Sequence, residues 1–246
     1  MKCFGLTGKS LIHSFSQHYF TEKFLRENFP DCSYELFELQ KPQDIPQLVK
    51  SRPDIAGLNV TIPFKESIIP YLDQCDEEAT RIGAVNTIAV RRKKNNVMLS
   101  GFNTDAWGFE NSTDVFLQYK KALVLGTGGS ARAVDYVLKK WGIESLFVSR
   151  NPAGGNVISY AGLSPEIVAR HPFIINTTPL GMVPHVQDFP PIPYEFISEK
   201  HFLYDLIYNP AQTVFMQKGQ AAGARVMNGV HMLGLQAERA WEIWNA

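Results

Sequence analysis

Short apolar runs alternate with stretches of helical spacing along the whole chain, and both periods are present within roughly the first hundred residues. Residues 3–6 predict a strand, followed by a helix over about 17–28 with Ser16 as its N-cap. A second strand with imperfect alternation covers 34–39, and a short helix over 45–50 stops before Pro53. Residues 55–60 form a buried strand ending at Thr61-Ile62-Pro63. Helical segments at 66–72 and 77–82 lead to a hairpin of 87–92 against 97–102. A βαβ pattern closed by an antiparallel pair predicts a mixed sheet.

A second unit begins near Thr104. Residues 105–119 have a helical pattern, and 122–125 are an apolar strand that runs into a glycine-rich turn and then a helix to about Trp141. Further strands at 146–148, 173–175 and 202–205 continue the rhythm of a Rossmann-like, doubly wound nucleotide-binding domain. The fold class is therefore α/β in two domains, 1–103 and 104–228. The tail, 229–244, is one amphipathic helix with Met232, Leu233, Leu235, Ala240 and Trp241 on its buried side.

Composition narrows the function classes. The chain has 246 residues, with 24 Lys and Arg against 24 Asp and Glu, so it lacks the basic excess of a nucleic-acid-coating protein. Its longest like-charge run, Arg91-Arg92-Lys93-Lys94, is followed by Asn95-Asn96 and predicts a solvated hairpin tip. No apolar stretch approaches the ~18 residues of a membrane span, and no apolar leader follows Met1, so a cytoplasmic protein is expected. Cys3, Cys32 and Cys75 read as reduced thiols. The six histidines show no metal-ligand spacing, and no metal is expected.

The turn Gly126-Thr127-Gly128-Gly129-Ser130-Ala131 sits between a strand and a helix. Glycines there allow a tight turn and let backbone N–H groups approach a pyrophosphate at a helix N-terminus, and Ser130 can donate a further bond. Enzymes that use NAD place an acid at the end of the next strand for the ribose 2′-OH. Here Val148 is followed by Ser149, Arg150 and Asn151, and a guanidinium suits the 2′-phosphate of NADP in charge and shape. A plain surface cation is the alternative.

Four segments gather small polar groups at predicted strand ends: His13-Ser14-Phe15-Ser16, Asn59-Val60-Thr61-Ile62-Pro63-Phe64-Lys65, Gly83-Ala84-Val85-Asn86-Thr87 and Gly101-Phe102-Asn103-Thr104-Asp105. Gln236 on the last helix adds an amide. Hydroxyls, amides, one amine and one carboxylate suit a small polyol bearing an acid group, since each buried hydroxyl needs a partner. Lys65 and Asp105 are the opposite charges of the set. An enzyme reducing a ketone must protonate the developing alkoxide, which an amine about 3 Å away can do. The competing reading is a structural ion pair between two loops.

Asn-Val-Thr-Ile-Pro-Phe-Lys at 59–65, Gly-Ala-Val-Asn-Thr at 83–87, Asn-Thr-Asp at 103–105 and Gly-Thr-Gly-Gly at 126–129 resemble the shikimate dehydrogenase family. So do Asn-Thr-Thr-Pro-Leu-Gly-Met at 176–182, Tyr-Asn-Pro at 208–210 and Met232-Leu233 with Gln236. The resemblance implies NADP-linked interconversion of 3-dehydroshikimate and shikimate on the route to chorismate and the aromatic amino acids. It implies a site in an interdomain cleft, with the last helix, 229–246, returning to the N-terminal domain. By the same resemblance Lys65 and Asp105 are the catalytic pair, and Ser14, Ser16, Asn59, Thr61, Asn86, Tyr208 and Gln236 line the substrate pocket. Gly126, Thr127, Gly128, Gly129, Ser130 and Ala131 would hold NADP with Ser149, Arg150 and Asn151, and Thr177, Leu206 and Gly229 would lie near the nicotinamide.

The chain departs from the family in having Ser10 and Gln17 where proline is usual, and Ser149-Arg150-Asn151 for the usual Asn-Arg-Thr. Pro152-Ala153-Gly154-Gly155 replaces a helix that often carries another basic residue, so the adenine side is thinner and phosphate affinity rests on Arg150. An NAD-linked quinate/shikimate dehydrogenase is the alternative within enzymes, and a ligand sensor without turnover the alternative outside them. Expected partners are small molecules, with no nucleic acid and no membrane; a homodimer is left open, because the sequence is silent on oligomeric state.

Overall fold

The structure is a computed structural model and describes residues 1–11, 15–94, 96–152 and 154–246. It divides into two compact units, Met1–Thr104 with Ala237–Ala246, and Asp105–Gln236.

Strand β1 (Lys2–Gly8) is buried along all but its first residue, as befits a strand covered on both faces. Cys3 enters a core with Ile45, Val49, Ile55, Ile68 and Ile88, whereas Phe4 and Leu6 enter another with Phe20, Phe24, Tyr34 and Trp244. Helix α1 (Phe15–Arg26), strand β2 (Cys32–Glu38), helix α2 (Ile45–Ser51) and strand β3 (Ile55–Val60) follow. Helix α1 starts at Phe15, so Ser16 lies in its first turn rather than at the expected cap.

Helix α3 (Phe64–Ser67) is shorter than the predicted 66–72 segment. Pro70 has no N–H to continue the ladder, and a 3-10 turn, Ile69–Tyr71, follows instead. Strand β4 (Gln74–Cys75), which the pattern did not predict, precedes helix α4 (Glu77–Ile82) and the hairpin β5 (Thr87–Lys93) and β6 (Asn96–Phe102). The sheet order is β2-β1-β3-β5-β6-β4, parallel from β2 to β3 and antiparallel from β3 to β6.

The charged run is only partly a solvated tip. Arg91 donates to the carbonyls of Ile243 (2.9 Å) and Trp244 (3.2 Å), and Arg92 to those of Val49 (2.9 Å), Arg52 (3.2 Å) and Ile55. Arg91 thus binds orphan carbonyls at the end of the last helix, where a cation is favoured.

In the second unit, helix α5 (Thr104–Ser112) ends earlier than the predicted 105–119. The Ser112 hydroxyl donates to the Phe109 carbonyl (2.8 Å) and Thr113 Oγ1 accepts from Val115 N (3.1 Å), local bonds that favour a turn over a further helical turn. Then come β7 (Lys121–Leu125), α6 (Gly129–Lys140), β8 (Glu144–Val148), β9 (Val157–Ile158), α7 (Pro165–Arg170), β10 (Phe173–Asn176), β11 (Phe202–Asp205), α8 (Val214–Ala221) and β12 (Arg225–Met227). The all-parallel order β12-β11-β10-β7-β8-β9 is the Rossmann winding, and its order reverses between β7 and β10. Register aligns Leu125, Val148, Asn176 and Asp205 at one edge, so the loops that follow these strands emerge together.

Helix α9 (Val230–Asn245) buries Met232, Gln236, Ala240 and Trp244, spaced four apart. Leu233, Leu235 and Trp241, expected on the buried side, are only half-buried. Residues of this helix group with the first unit from Ala237 onward, not from 229. Gly229 N donates to the Ile207 carbonyl (3.0 Å), which ties the start of the helix to the second unit.

Candidate functional site

The polar groups of the first unit are joined in a chain of hydrogen bonds. Tyr34 Oη donates to Asn59 Oδ1 (2.8 Å), and the Ser16 hydroxyl is bonded to the same phenol. Asn59 Nδ2 donates to Thr87 Oγ1 (3.2 Å) and, at 3.4 Å, to the Asn86 carbonyl. Thr87 Oγ1 donates to Asn86 Oδ1 (3.2 Å), which also accepts from Thr104 N (2.7 Å), and Asn86 Nδ2 donates to Thr104 Oγ1 (3.0 Å). Register explains the meeting: Asn59 on β3 lies opposite Thr87 on β5, and Thr87 opposite Phe102 on β6.

Thr61, half-buried, turns the chain out of β3: its N–H donates to the Thr7 carbonyl (2.9 Å) and its carbonyl accepts from Phe64 N (2.9 Å). Lys65 follows in α3 and is half-buried; Val85 N donates to its carbonyl (2.7 Å), which pins the Lys65 backbone beside the residue preceding Asn86. The structure therefore brings Ser16, Asn59 and Asn86 into one network and anchors Lys65 next to it. Ser14 lies outside the described residues.

In the second unit, Asp105 is buried in the first turn of α5, and Gln236 is buried on α9 with Nε2 donating to the Leu233 carbonyl (3.1 Å). Tyr208 is half-buried. The glycine turn has the geometry a dinucleotide needs. Gly126 takes φ +110, and a Cβ there would come within 2.7 Å of Thr177 Oγ1, so both conformation and space call for glycine. Gly128 is extended and caps α6 without a side-chain hydrogen bond, at the start of a twelve-residue helix, where backbone N–H groups and the dipole favour an anion. Thr127 and Gly128 are exposed, Gly129 and Ser130 half-buried, and Ala131 buried.

At the end of β8, Ser149 Oγ accepts from Asn151 N (3.2 Å), which shapes the turn that carries the exposed Arg150. These residues fit a pyrophosphate at the helix start and a phosphate on the neighbouring ribose. Thr177 Oγ1 donates to the Leu125 carbonyl (2.6 Å), so its loop sits against the end of β7; Leu206 N donates to the Asn176 carbonyl (3.0 Å). The metal-like grouping found among the described residues, Cys3 with Glu35 and Asp54, is served by Arg52, which donates to Glu35 (3.0 and 3.1 Å) and Asp54 (2.7 and 2.9 Å).

Sequence reasoning missed two residues that organise these strand ends. Tyr34 is only the first residue of the strand predicted over 34–39; the signal is a phenol in a strand facing apolar residues, where a buried hydroxyl must find a partner. Asp205 passed as the last residue of a strand, although an acid closing an apolar run is seldom buried unless it is bonded. It is fully buried, with Thr213 Oγ1 (2.6 Å) donating to one oxygen and Asn176 Nδ2 (3.0 Å) and Ile207 N (3.1 Å) to the other. Asn176 Oδ1 in turn accepts from Thr178 N (3.0 Å) and Oγ1 (2.6 Å), so one carboxylate ties together the loops after β10 and β11.

Burial pushes the Asp205 carboxyl from 3.8 up to about 6, against the pull of its hydrogen bonds. A raised value favours the protonated folded form, so this group's stabilising contribution is whole below the unfolded value and is lost as pH climbs through about 6. Asp205→Asn is expected to gain stability relative to wild type, on the order of 3 kcal/mol, between about pH 4 and pH 7. Urea unfolding at the two pH values measures it, and parallel changes in both proteins would refute it.

A mixed-sheet unit with a buried amide network, and a Rossmann unit with an uncapped glycine turn and a cation after its second strand, together define a dinucleotide-dependent oxidoreductase. Comparison with known proteins is more specific. Residues 6–88 match the family described as the shikimate dehydrogenase substrate binding domain. The chain is 37% identical over 255 residues to shikimate dehydrogenase (NADP(+)) of Clostridium beijerinckii, covering 99% of this chain and 92% of that protein. The crystal structure of shikimate dehydrogenase 1 from Peptoclostridium difficile matches with TM-score 0.87 and 36% identity, over 100% of this chain and 92% of that one. That of the Thermus thermophilus enzyme in complex with NADP(H) and shikimate matches with TM-score 0.84 and 29% identity, over 99% and 93%. The chain belongs to the shikimate dehydrogenase family.

Proposed function

We infer that the protein catalyses the reversible, NADP-linked reduction of 3-dehydroshikimate to shikimate, in the route to chorismate and aromatic amino acids. The observation that carries this reading is an amine, Lys65, whose backbone is pinned beside the hydrogen-bonded Asn59–Asn86 pair. A buried amide pair can satisfy ring hydroxyls, and the amine supplies the proton that a ketone reduction consumes.

In this reading Ser14 and Ser16, Asn59, Thr61, Asn86, Tyr208 and Gln236 bind and orient the substrate. Bound NADP supplies or accepts the hydride at C3 of the ring. Lys65 donates its proton to the oxygen that becomes the alkoxide as the C–H bond forms, and takes it back in the oxidative direction. Asp105 aims the ammonium at that oxygen. The residues 126–131 hold the pyrophosphate, Ser149, Arg150 and Asn151 the 2′-phosphate, and Thr177, Leu206 and Gly229 border the nicotinamide. Cys3, Cys32 and Cys75 are free thiols, which suits a reducing compartment, and we place the protein in the cytoplasm. No helix of the described residues is long and apolar enough to cross a membrane.

The test is shikimate-dependent NADPH formation by the purified, folded protein; its absence refutes the reading. Assays of shikimate and quinate with NADP and NAD separate it from an NAD-linked quinate enzyme. In the same assay Arg150→Ala is expected to raise the NADP KM about 10- to 100-fold, the loss of a charge-assisted bond of about 1.5–3 kcal/mol, while leaving NAD use unchanged. Equal effects on both cofactors would remove Arg150 from the phosphate role.

A further inference from the structure

The Tyr34 ring is stacked on Phe20 at 4.7 Å and 9° and lies 6.5 Å from Trp244. Phe4 faces it across the β1–β2 register, and only 5% of the residue is exposed. Phenylalanine would fill such a slot without bringing a polar atom into it. The hydroxyl is worth its desolvation only if it is bonded, and the surrounding rings fix the direction in which it points.

That direction has consequences beyond packing. An amide can sit in two orientations that exchange its oxygen and nitrogen, and the partners decide between them. The phenol donates to Asn59 Oδ1, which turns Nδ2 toward the Thr87 hydroxyl. Asn86 Oδ1 accepts from the Thr104 N–H (2.7 Å), a backbone donor, so Asn86 Nδ2 faces the Thr104 hydroxyl independently of the phenol. The Asn59 amide thus has a defined sense between the phenol and the Thr87 hydroxyl.

We propose that Tyr34 is a positioning residue for the substrate: its buried hydroxyl sets the orientation of the Asn59 amide, whose Nδ2 then faces the Thr87 hydroxyl. The proposal rests on the reading that Asn59 and Asn86 meet the ring hydroxyls of shikimate. A polyol is recognised by which groups offer protons and which accept them, so an amide of undefined sense loses contacts that shape alone cannot restore. The cofactor is held by the other compact unit and does not depend on this chain.

Tyr34→Phe keeps the ring and removes only the donor. It is expected to raise the shikimate KM, and the calorimetric Kd for shikimate, about tenfold, with the NADP KM within about twofold of wild type. A purely structural role would lower the melting temperature without moving one KM apart from the other. Unchanged shikimate affinity, or equal shifts for both substrates, overturns the proposal. Thr87→Val breaks the next link and leaves the ring stack intact; it is expected to show the same selective loss, and wild-type shikimate affinity in that variant also overturns the proposal. Absence of turnover in the wild-type protein would instead count against the proposed function, and the calorimetric Kd still tests Tyr34.

Discussion

Replacing Lys65 by alanine is expected to lower kcat by about 10²–10⁴-fold and to leave the shikimate KM within about threefold of wild type. The split follows from when the interaction is made. A ketone oxygen needs no proton in the ground state and acquires the demand for one only as hydride arrives, so the ammonium stabilises the transition state more than the bound substrate. The hydroxyls of the ring are left to Asn59, Asn86 and the partners to which they are bonded. Steady-state kinetics in both directions measure the effect. A collapsed KM with turnover preserved at saturation would make Lys65 an anchor for substrate rather than a proton donor.

Trp244→Ala is expected to cost about 3–5 kcal/mol, a large part of the stability of an ordinary domain. The indole is 3% exposed, stacks on Phe4 at 4.8 Å, lies 5.4 Å from Phe20 and donates Nε1–H to the Ile88 carbonyl (3.1 Å). Gly57 on β3 has no side chain because the indole occupies the space where its Cβ would stand. Truncation therefore leaves a cavity that the strand backbone cannot fill and removes the indole donor from the Ile88 carbonyl. Urea unfolding measures the loss. A value below about 1 kcal/mol would show that the aromatic cluster closes over the gap. The same cluster supports Tyr34, so shikimate affinity should fall in any folded fraction.

Elements with one dominant signal were legible from the chain. Strands 55–60 and 202–205 match the observed β3 and β11 to the residue, because a continuous apolar run flanked by turn residues has few other uses. The glycine turn was legible because backbone conformation and anion binding both demand glycine there. Segments where two local tendencies compete were not. Residues 113–119 have helical spacing, yet hydroxyls of Ser112 and Thr113 capture the backbone first. Arg91 and Arg92 read as solvent-facing because a run of cations usually is, but the carbonyls they bind belong to segments far away in the chain.

Of the candidate site, Lys65, Asp105 and the turn at 126–131 could be named from the residues themselves, and Asn59 and Asn86 as pocket residues from the family resemblance. Tyr34 and Asp205 could not: a phenol or an acid in an apolar strand signals that a buried bond must exist, but its partners, Asn59 for one and Asn176 and Thr213 for the other, lie far along the chain or in a following loop. The sequence by itself determined which chemical groups are present, which segments become strands and helices, and that a cation, not an acid, follows the second Rossmann strand. Only the tertiary structure decided which way the Asn59 and Asn86 amides face and how far the Asp205 carboxyl is held from its ordinary titration. Proton sense and charge stability depend on which atoms arrive within about 3 Å and on how much water they lose in arriving. Neither quantity is a property of neighbours along a chain.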